Sequence, residues 1–94
     1  MTTNAERKQA PAAGVLQTET EKQVALLWAE ILQRPVASAA DNFFELGGDS
    51  MMMMMVLFRV GEELGVELPQ GVLVDTPHLG EFCRMIDQSR TKDG

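Results

Sequence analysis

The sequence predicts an all-α fold, a small four-helix bundle with three longer helices and one short helix. Three observations lead to this prediction: apolar residues recur at helical spacing in several stretches, capping residues precede these stretches, and glycine or proline follows them. Because 94 residues enclose only a limited core, we expect one domain, at residues 18–88. Neither end of the chain shows apolar periodicity. We therefore expect residues 1–17 to be a disordered tail or a linker and residues 89–94 to be a flexible C-terminal tail.

The first predicted helix begins at Thr18 or Thr20 and ends before Pro35. Thr18 and Glu21 have the spacing of a capping box, in which two side chains bond backbone N–H groups at the start of a helix. A single apolar stripe follows at helical spacing: Val24, Leu27, Trp28, Ile31 and Leu32. Trp28 is also a candidate ligand platform, but a tryptophan on such a stripe usually belongs to the core, and we place it there.

A long connection, residues 34–48, leads from the first helix to the second. We expect one local helical turn in it, with Asp41 as the cap and with Phe43 or Phe44 packed inward. A loop of this length in so small a domain usually has a task or packs on itself. Here it delivers the chain to Ser50.

The second predicted helix runs from about Ser50 to Leu64, and Gly65 is well suited to end it. A turn of about 100° per residue places one set of apolar residues on a core-facing arc: Met53, Val56, Leu57, Val60 and Leu64. The opposite, solvent-facing arc is marked by charged residues: Arg59, Glu62 and Glu63.

Five consecutive methionines, residues 51–55, cannot all be buried on one helix. A second apolar stripe lies beside the core on the flank that adjoins Ser50: Met51, Met54 and Phe58. We interpret this stripe as a partner-binding face, because an exposed apolar stripe on a small domain often marks a partner site and methionine adapts to varied surfaces. We expect Met52 and Met55 to be largely exposed, and their contact with a partner stays open. The alternative is that methionine is a good helix former that is merely tolerated here.

A short third helix is predicted near residues 70–74, limited to one or two turns by Gly71. A fourth helix follows, with Thr76 or His78 as its cap. Its core stripe has the spacing i, i+3, i+4 and i+7: Leu79, Phe82, Cys83 and Ile86. We expect the cysteine to be a small buried apolar group rather than a nucleophile.

Composition and charge argue against several functional classes. The chain has 8 basic and 14 acidic residues, a net charge of −6, which disfavours binding to nucleic acid or to anionic lipid. The single cysteine cannot form an internal disulfide, and no apolar stretch has the length of a membrane span or a secretory signal, so we expect a cytoplasmic protein. We find no metal-ligand cluster, no GxxxxGK loop and no Ser–His–acid set, and we expect no metal and no catalysis by the chain's own side chains.

The start of the second helix is a suitable place for a phosphate. Gly47 and Gly48 let the chain turn, and Asp49 or Ser50 can then cap the helix. Ser50 lies where free N–H groups and the helix dipole favour negative charge. On local chemistry alone, a serine in this place is also an ordinary helix cap.

The segment 41–50, DNFFELGGDS, resembles the modification site of thiolation domains, the peptidyl carrier proteins of nonribosomal peptide synthesis. The resemblance covers roughly residues 18–88 and includes four further segments in the same order: 18–21, 27–32, 65–69 and 76–78. It implies a helical bundle of the acyl-carrier-protein type, with 4′-phosphopantetheine from coenzyme A attached covalently to Ser50. Gly48 and Asp49 would complete the cofactor-binding site, with Asp49 keeping the loop polar and exposed.

The resemblance implies a carrier rather than an enzyme, holding an aminoacyl or peptidyl group as a thioester on the thiol of the arm. Its implied partners are a phosphopantetheinyl transferase, an adenylation enzyme, and condensation or tailoring enzymes. The resemblance implies that the carrier contacts them mainly through its second helix, and we expect the carrier to be a monomer. The GGDS form of the motif favours peptidyl carriage, as do Met55 and Arg59 where fatty-acid carriers are usually acidic. Polyketide or fatty-acid acyl carriage is the alternative within this class. A cofactor-free helical docking module that uses the Met-rich face is the alternative from another class.

Overall fold

The structure, a computed structural model, describes residues 16–93, with side chains described for residues 16–90. Four α-helices make up this part of the chain: α1 at Glu19–Leu32, α2 at Ser50–Leu64, α3 at Val72–Asp75 and α4 at Leu79–Asp93. The predicted all-α bundle with one short helix is therefore confirmed. Most of the predicted N-terminal tail, residues 1–15, lies outside the described residues.

The start of α1 follows the capping-box prediction with one difference. Thr18 is the N-cap, and its hydroxyl accepts a hydrogen bond from the Glu21 N–H at 3.0 Å. The Glu21 carboxylate accepts in turn from the Gln17 N–H at 2.6 Å, one residue before the cap. Leu16 is half-buried and packs against the core. Contacts with the bundle therefore begin at Leu16, and Gln17 adds a backbone hydrogen bond to α1, although the sequence analysis places both residues in the tail.

Three aromatic rings form the centre of the core, where α1, α4 and the long loop meet. Trp28 is fully buried, with its ring centroid 5.1 Å from that of Phe43 in an edge-on arrangement and 5.9 Å from that of Phe82. Phe43 is the inward-facing residue of its pair, since Phe44 is 37% exposed. The predicted core positions of Trp28 and of the α4 stripe are confirmed. Cys83 lies in this core, and burial raises the pKa of its thiol to about 12.

The buried arc of α2 is narrower than the sequence predicts and lies closer to Met52. Val56 and Val60 are fully buried, whereas three residues predicted for the core are only partly buried and pack against its edge: Met53, Leu57 and Leu64. Met52, predicted to be exposed, is also half-buried against the core. Met52, Val56 and Val60 are spaced four residues apart, so they lie on the same side of the helix. Met55 is 47% exposed, as predicted.

The last two helices differ from the prediction at their ends. α3 begins at Val72, and its last turn is closed by the Thr76 hydroxyl, which donates to the Val72 carbonyl at 2.7 Å. Thr76 is therefore not the cap of α4, whose first residue directly follows His78. α4 continues to residue 93, past the predicted domain end at residue 88. No glycine or proline interrupts residues 89–93, so the sequence contains no helix breaker before the end of α4. Within the described residues, no helix has both the length and the apolar character that crossing a membrane requires.

Candidate functional site

The long loop before α2 is fastened to the chain segment between α3 and α4. The Phe43 N–H donates to the Pro77 carbonyl at 2.9 Å, and the Leu79 N–H donates to the Asp41 carbonyl at 3.0 Å. These bonds join parts of the chain that are more than 30 residues apart, and the Phe43 side chain enters the core at the same point. The loop therefore holds the start of α2 at a set position on the bundle.

The helical turn within this loop is capped by Asn42 rather than by Asp41. Asn42 Oδ1 accepts hydrogen bonds from the N–H groups of residues 44 and 45, at 2.9 and 3.1 Å. The Asp41 carboxylate instead accepts from the N–H groups of residues 37 and 38, at 3.1 and 3.2 Å. The prediction of Asp41 as the cap was wrong by one residue. Both side chains can cap a turn, but the Asp41 carboxylate is already bonded to N–H groups that precede it in the chain.

The two glycines before α2 are required for different reasons. Gly47 has φ +103°, in the region that glycine adopts far more readily than other residues. Gly48 instead lies against Phe43: its N–H donates to the Phe43 carbonyl at 3.0 Å, and a Cβ at this position would overlap the Phe43 ring. That ring is packed against Trp28 and cannot easily move away. Gly48, predicted as part of the cofactor site, thus sets the path of the chain that presents Ser50.

Asp49 is the residue that caps α2. Its Oδ1 accepts from the Met52 N–H at 3.0 Å, and its backbone carbonyl accepts from the Met53 N–H at 2.8 Å. Ser50 is the first helical residue and is exposed. Its hydroxyl forms no hydrogen bond with any described residue. Of the two capping residues that the sequence allows, α2 uses Asp49 and leaves the Ser50 hydroxyl unengaged.

The second apolar stripe of α2 is exposed beside Ser50. The exposed fractions are 73% for Met51, 55% for Met54 and 67% for Phe58. The structure thus agrees with the predicted exposure of the stripe, while its contact with a partner stays a prediction.

A groove lies on each side of this stripe. The α1–α2 groove has a volume of about 450 Å³ and is lined by Ile31, Met51, Met54, Met55, Phe58 and Arg59. The second groove, of about 550 Å³, lies between α2 and the segment 65–70 that follows it, and its lining includes Leu57, Val66, Leu68, Glu62 and Glu67. Met54 and Phe58 line both grooves and form the ridge between them.

Arg59 joins α1 to α2, which the sequence analysis does not anticipate. Its Nη2 lies 2.9 Å from Glu30 Oε1 of α1 and 2.7 Å from Glu63 Oε2 of α2, and its Nε donates to the same Glu63 oxygen at 2.8 Å. Hydrogen bonds to these two carboxylates raise the pKa of the guanidinium further, which keeps it charged. The pairing with Glu63 has a sequence signal, the i, i+4 spacing. The pairing with Glu30 has none, because it depends on how the two helices pack.

Other ionisable groups do not form a metal site in the part of the chain that the structure describes. No three or more histidine, cysteine or acidic side chains there lie close enough together to hold a metal ion. His78 is exposed and lies 3.6 Å from a carboxylate oxygen of Glu81, at the start of α4. Both residues belong to the segment that anchors the loop rather than to the surroundings of Ser50.

The chain is similar to known proteins in both sequence and fold. A family model described as "Phosphopantetheine attachment site" matches residues 22–86. Tyrocidine synthase 3 of Brevibacillus parabrevis is 37% identical over 84 residues, which are 89% of this chain and 1% of that protein. The curated relatives are much longer in general, and the chain spans between 1% and 7% of their length.

Solved structures of carrier proteins are also similar to this chain. A peptidyl carrier protein in complex with the phosphopantetheine transferase Sfp and coenzyme A is similar with a TM-score of 0.76 and 28% identity, covering 80% of this chain and 97% of that chain. McyG A-PCP complexed with phenylalanyl-adenylate is similar with a TM-score of 0.71 and 30% identity, covering 77% of this chain and 11% of that chain.

Proposed function

The chain belongs to the family of phosphopantetheine attachment domains, which tether substrates instead of transforming them, and we propose that it serves nonribosomal peptide synthesis as a peptidyl carrier whose attachment point is Ser50. The observation that carries the assignment of Ser50 is the capping of α2 by its neighbour. Because Asp49 accepts the Met52 N–H at 3.0 Å, α2 does not need the serine hydroxyl as a cap. The hydroxyl is exposed at a helix N-terminus, which fits a covalently attached phosphate.

Ser50 Oγ acts as the nucleophile toward coenzyme A in the active site of a phosphopantetheinyl transferase. It forms a bond to the phosphorus that carries pantetheine, its proton passes to a base of the transferase, and 3′,5′-ADP leaves. Once attached, 4′-phosphopantetheine supplies a terminal thiol that holds an aminoacyl or peptidyl group as a thioester, open to attack by an amine. The N-terminal end of α2 favours the negative charge that the phosphodiester places on Ser50.

Asp49 and Gly48 hold the serine in position for this transfer. The Asp49 carboxylate uses Oδ1 to cap α2 and has a second oxygen for a metal ion or a basic group of the transferase. Gly48 passes over the Phe43 ring and so keeps the turn close to the core. Both residues act as positioning groups for Ser50, which is the residue that is modified.

The partner surface is the exposed stripe of Met51, Met54 and Phe58. Its support is the exposure of all three side chains on the flank of Ser50 and the net charge of −6, which suits partners with apolar or basic surfaces. The partners are a phosphopantetheinyl transferase, an adenylation enzyme, and condensation or tailoring enzymes. Structures of similar carriers with a transferase and with an adenylation domain support the first two kinds. A monomeric, cytoplasmic chain is part of the same proposal.

Intact mass spectrometry tests the attachment point. The wild-type chain and a Ser89→Ala control, which removes a serine of α4, are incubated with a broad-specificity phosphopantetheinyl transferase and coenzyme A, beside Ser50→Ala. We expect the first two to gain the mass of one phosphopantetheine and Ser50→Ala to gain none. A folded wild-type chain that gains no mass would contradict the proposal and favour a cofactor-free docking module.

A further inference from the structure

The five consecutive methionines of α2 separate into two groups in the folded chain. Met51, Met54 and Met55 are 73%, 55% and 47% exposed. Met52 and Met53 are half-buried and pack against the core. At about 100° per residue, the first group lies on one arc of the helix, which is also the arc of the partner stripe. Three thioether side chains are therefore open to solvent in the first turns after the proposed attachment point.

We propose that Met51, Met54 and Met55 form a reversible oxidation site, at which hydrogen peroxide or a related peroxide converts the thioethers to sulfoxides and weakens the binding of partner enzymes. The inference rests on the proposed function of Ser50 and adds a means of regulating its contact with those enzymes.

The chemistry of this modification needs only the peroxide and, for its reversal, a dithiol. The thioether sulfur attacks one oxygen of hydrogen peroxide, the O–O bond breaks and an S–O bond forms. The other oxygen leaves as hydroxide, which takes the proton of the transferred oxygen and becomes water. The sulfur is oxidised and the peroxide is reduced. A methionine sulfoxide reductase reverses the change, because its dithiol becomes a disulfide while the oxygen leaves as water.

The single cysteine does not compete for the oxidant. Cys83 is 1% exposed, and burial raises the pKa of its thiol to about 12. The thiolate is the reactive form of cysteine, so the buried thiol is inert near neutral pH. A thioether has no proton to lose, and its oxidation depends on access instead. Among the described residues, the exposed methionines therefore offer the sulfur atoms that an oxidant reaches first.

The position of α2 on the bundle does not depend on the three exposed methionines. The helix is held on its other side by Val56 and Val60, which are fully buried, and it is capped by Asp49. A sulfoxide on the exposed arc is solvated by water and leaves these contacts in place. Oxidation of a core methionine would instead place a polar group among apolar ones. The structure thus allows the surface of α2 to be modified without unfolding the helix.

Oxidation changes the partner stripe from apolar to polar. Met51 and Met54 are two of its three residues, and only Phe58 stays apolar. Each sulfoxide adds a hydrogen-bond acceptor that loses its water when an apolar partner surface covers it. One polar group covered without a donor costs enough to weaken binding about tenfold. We therefore expect the oxidised chain to be a poor substrate for the transferase and a poor partner for later enzymes.

Peptide mass mapping tests where the oxygen is added. The folded chain is treated with dilute hydrogen peroxide, the excess is removed with catalase, and the sulfoxide at each methionine is measured from fragment ions. We expect the three exposed methionines to oxidise at least several times faster than three that pack against the core: Met52, Met53 and Met85. In urea the difference should disappear. Equal rates in the folded chain would overturn the proposal.

Transfer of phosphopantetheine from coenzyme A tests the consequence. The wild type, a variant with leucine at positions 51, 54 and 55, and the control Met85→Leu are each compared with their own untreated sample. Leucine keeps an apolar side chain and a good helix former but has no sulfur. We expect oxidation to lower kcat/KM of a broad-specificity transferase about tenfold in the wild type and Met85→Leu, and to leave that of the triple leucine variant nearly unchanged. Methionine sulfoxide reductases with dithiothreitol should restore the wild type.

Far-UV circular dichroism and the untreated samples separate the ways in which the proposal can fail. If the treated wild type loses its helical signal, oxidation acts by unfolding the chain and the proposal is wrong. A kcat/KM that is equal before and after oxidation would also overturn it. An untreated wild type that gains no phosphopantetheine would remove the proposed function itself and this regulation with it, and that result appears before any oxidant is added.

Discussion

Replacing Asp49 with alanine removes the side chain that accepts the Met52 N–H at the start of α2. Loss of such a cap costs about 1 kcal/mol, within a range of roughly 0.5–2 kcal/mol. For a domain of this size, 1 kcal/mol lowers Tm by roughly 4–8 °C. Asparagine is as good a cap as aspartate, so Asp49→Asn should keep most of the stability and lose only the interaction of the charge with the helix dipole, about 0.3–1 kcal/mol.

Ser50→Ala is the decisive comparison, because the structure gives the serine hydroxyl no capping role. We expect its free energy of unfolding to stay within about 0.5 kcal/mol of the wild type, since alanine is also a better helix former than serine. Thermal and urea unfolding, followed by far-UV circular dichroism, measure all three variants. If Ser50→Ala lowers Tm as much as Asp49→Ala does, the serine is the cap and the argument that frees its hydroxyl is wrong.

Two further predictions concern the α2 stripe and the buried thiol. Replacing both Met54 and Phe58 with glutamate should slow transfer of phosphopantetheine from coenzyme A at least severalfold while the helical circular dichroism persists. The reason is that both side chains are exposed on the apolar stripe of α2, where glutamate disrupts an apolar contact. Leu26→Glu is the matched control, and equal transfer rates in all of these proteins would contradict the predicted partner face. Cys83, with a pKa raised to about 12 by burial, should resist a thiol reagent at pH 8 in the native state and react once urea unfolds the chain, and rapid labelling without denaturant would contradict its place in the core.

The sequence by itself determines the features that depend on neighbours along the chain. Thr18 and Gly65 mark helix ends through hydrogen bonds and dihedral angles that extend over a few residues, so the start of α1 and the end of α2 could be predicted. The fully buried stripe of α4 follows from its regular spacing. Ser50 itself is indicated by the motif around it, together with the whole series of segments that resemble the carrier family.

Only the tertiary structure decides between side chains with the same local chemistry. Asp41 and Asn42 can both cap a turn, as Asp49 and Ser50 can both cap a helix. The choice follows from the path of the loop. That path is set by the Phe43 ring, which lies against Gly48, and by the hydrogen bond from Phe43 to Pro77, more than 30 residues away in the sequence.

The surface around the serine is decided in the same way. The pairing of Arg59 with Glu30 and the groove between α1 and α2 exist only because the two helices pack side by side. Periodicity along one helix shows which residues share a side, and it does not show which residues of another helix lie opposite them. The sequence therefore indicates which oxygen is the proposed attachment point. The tertiary structure determines that this oxygen is not used as the helix cap and which surface lies beside it.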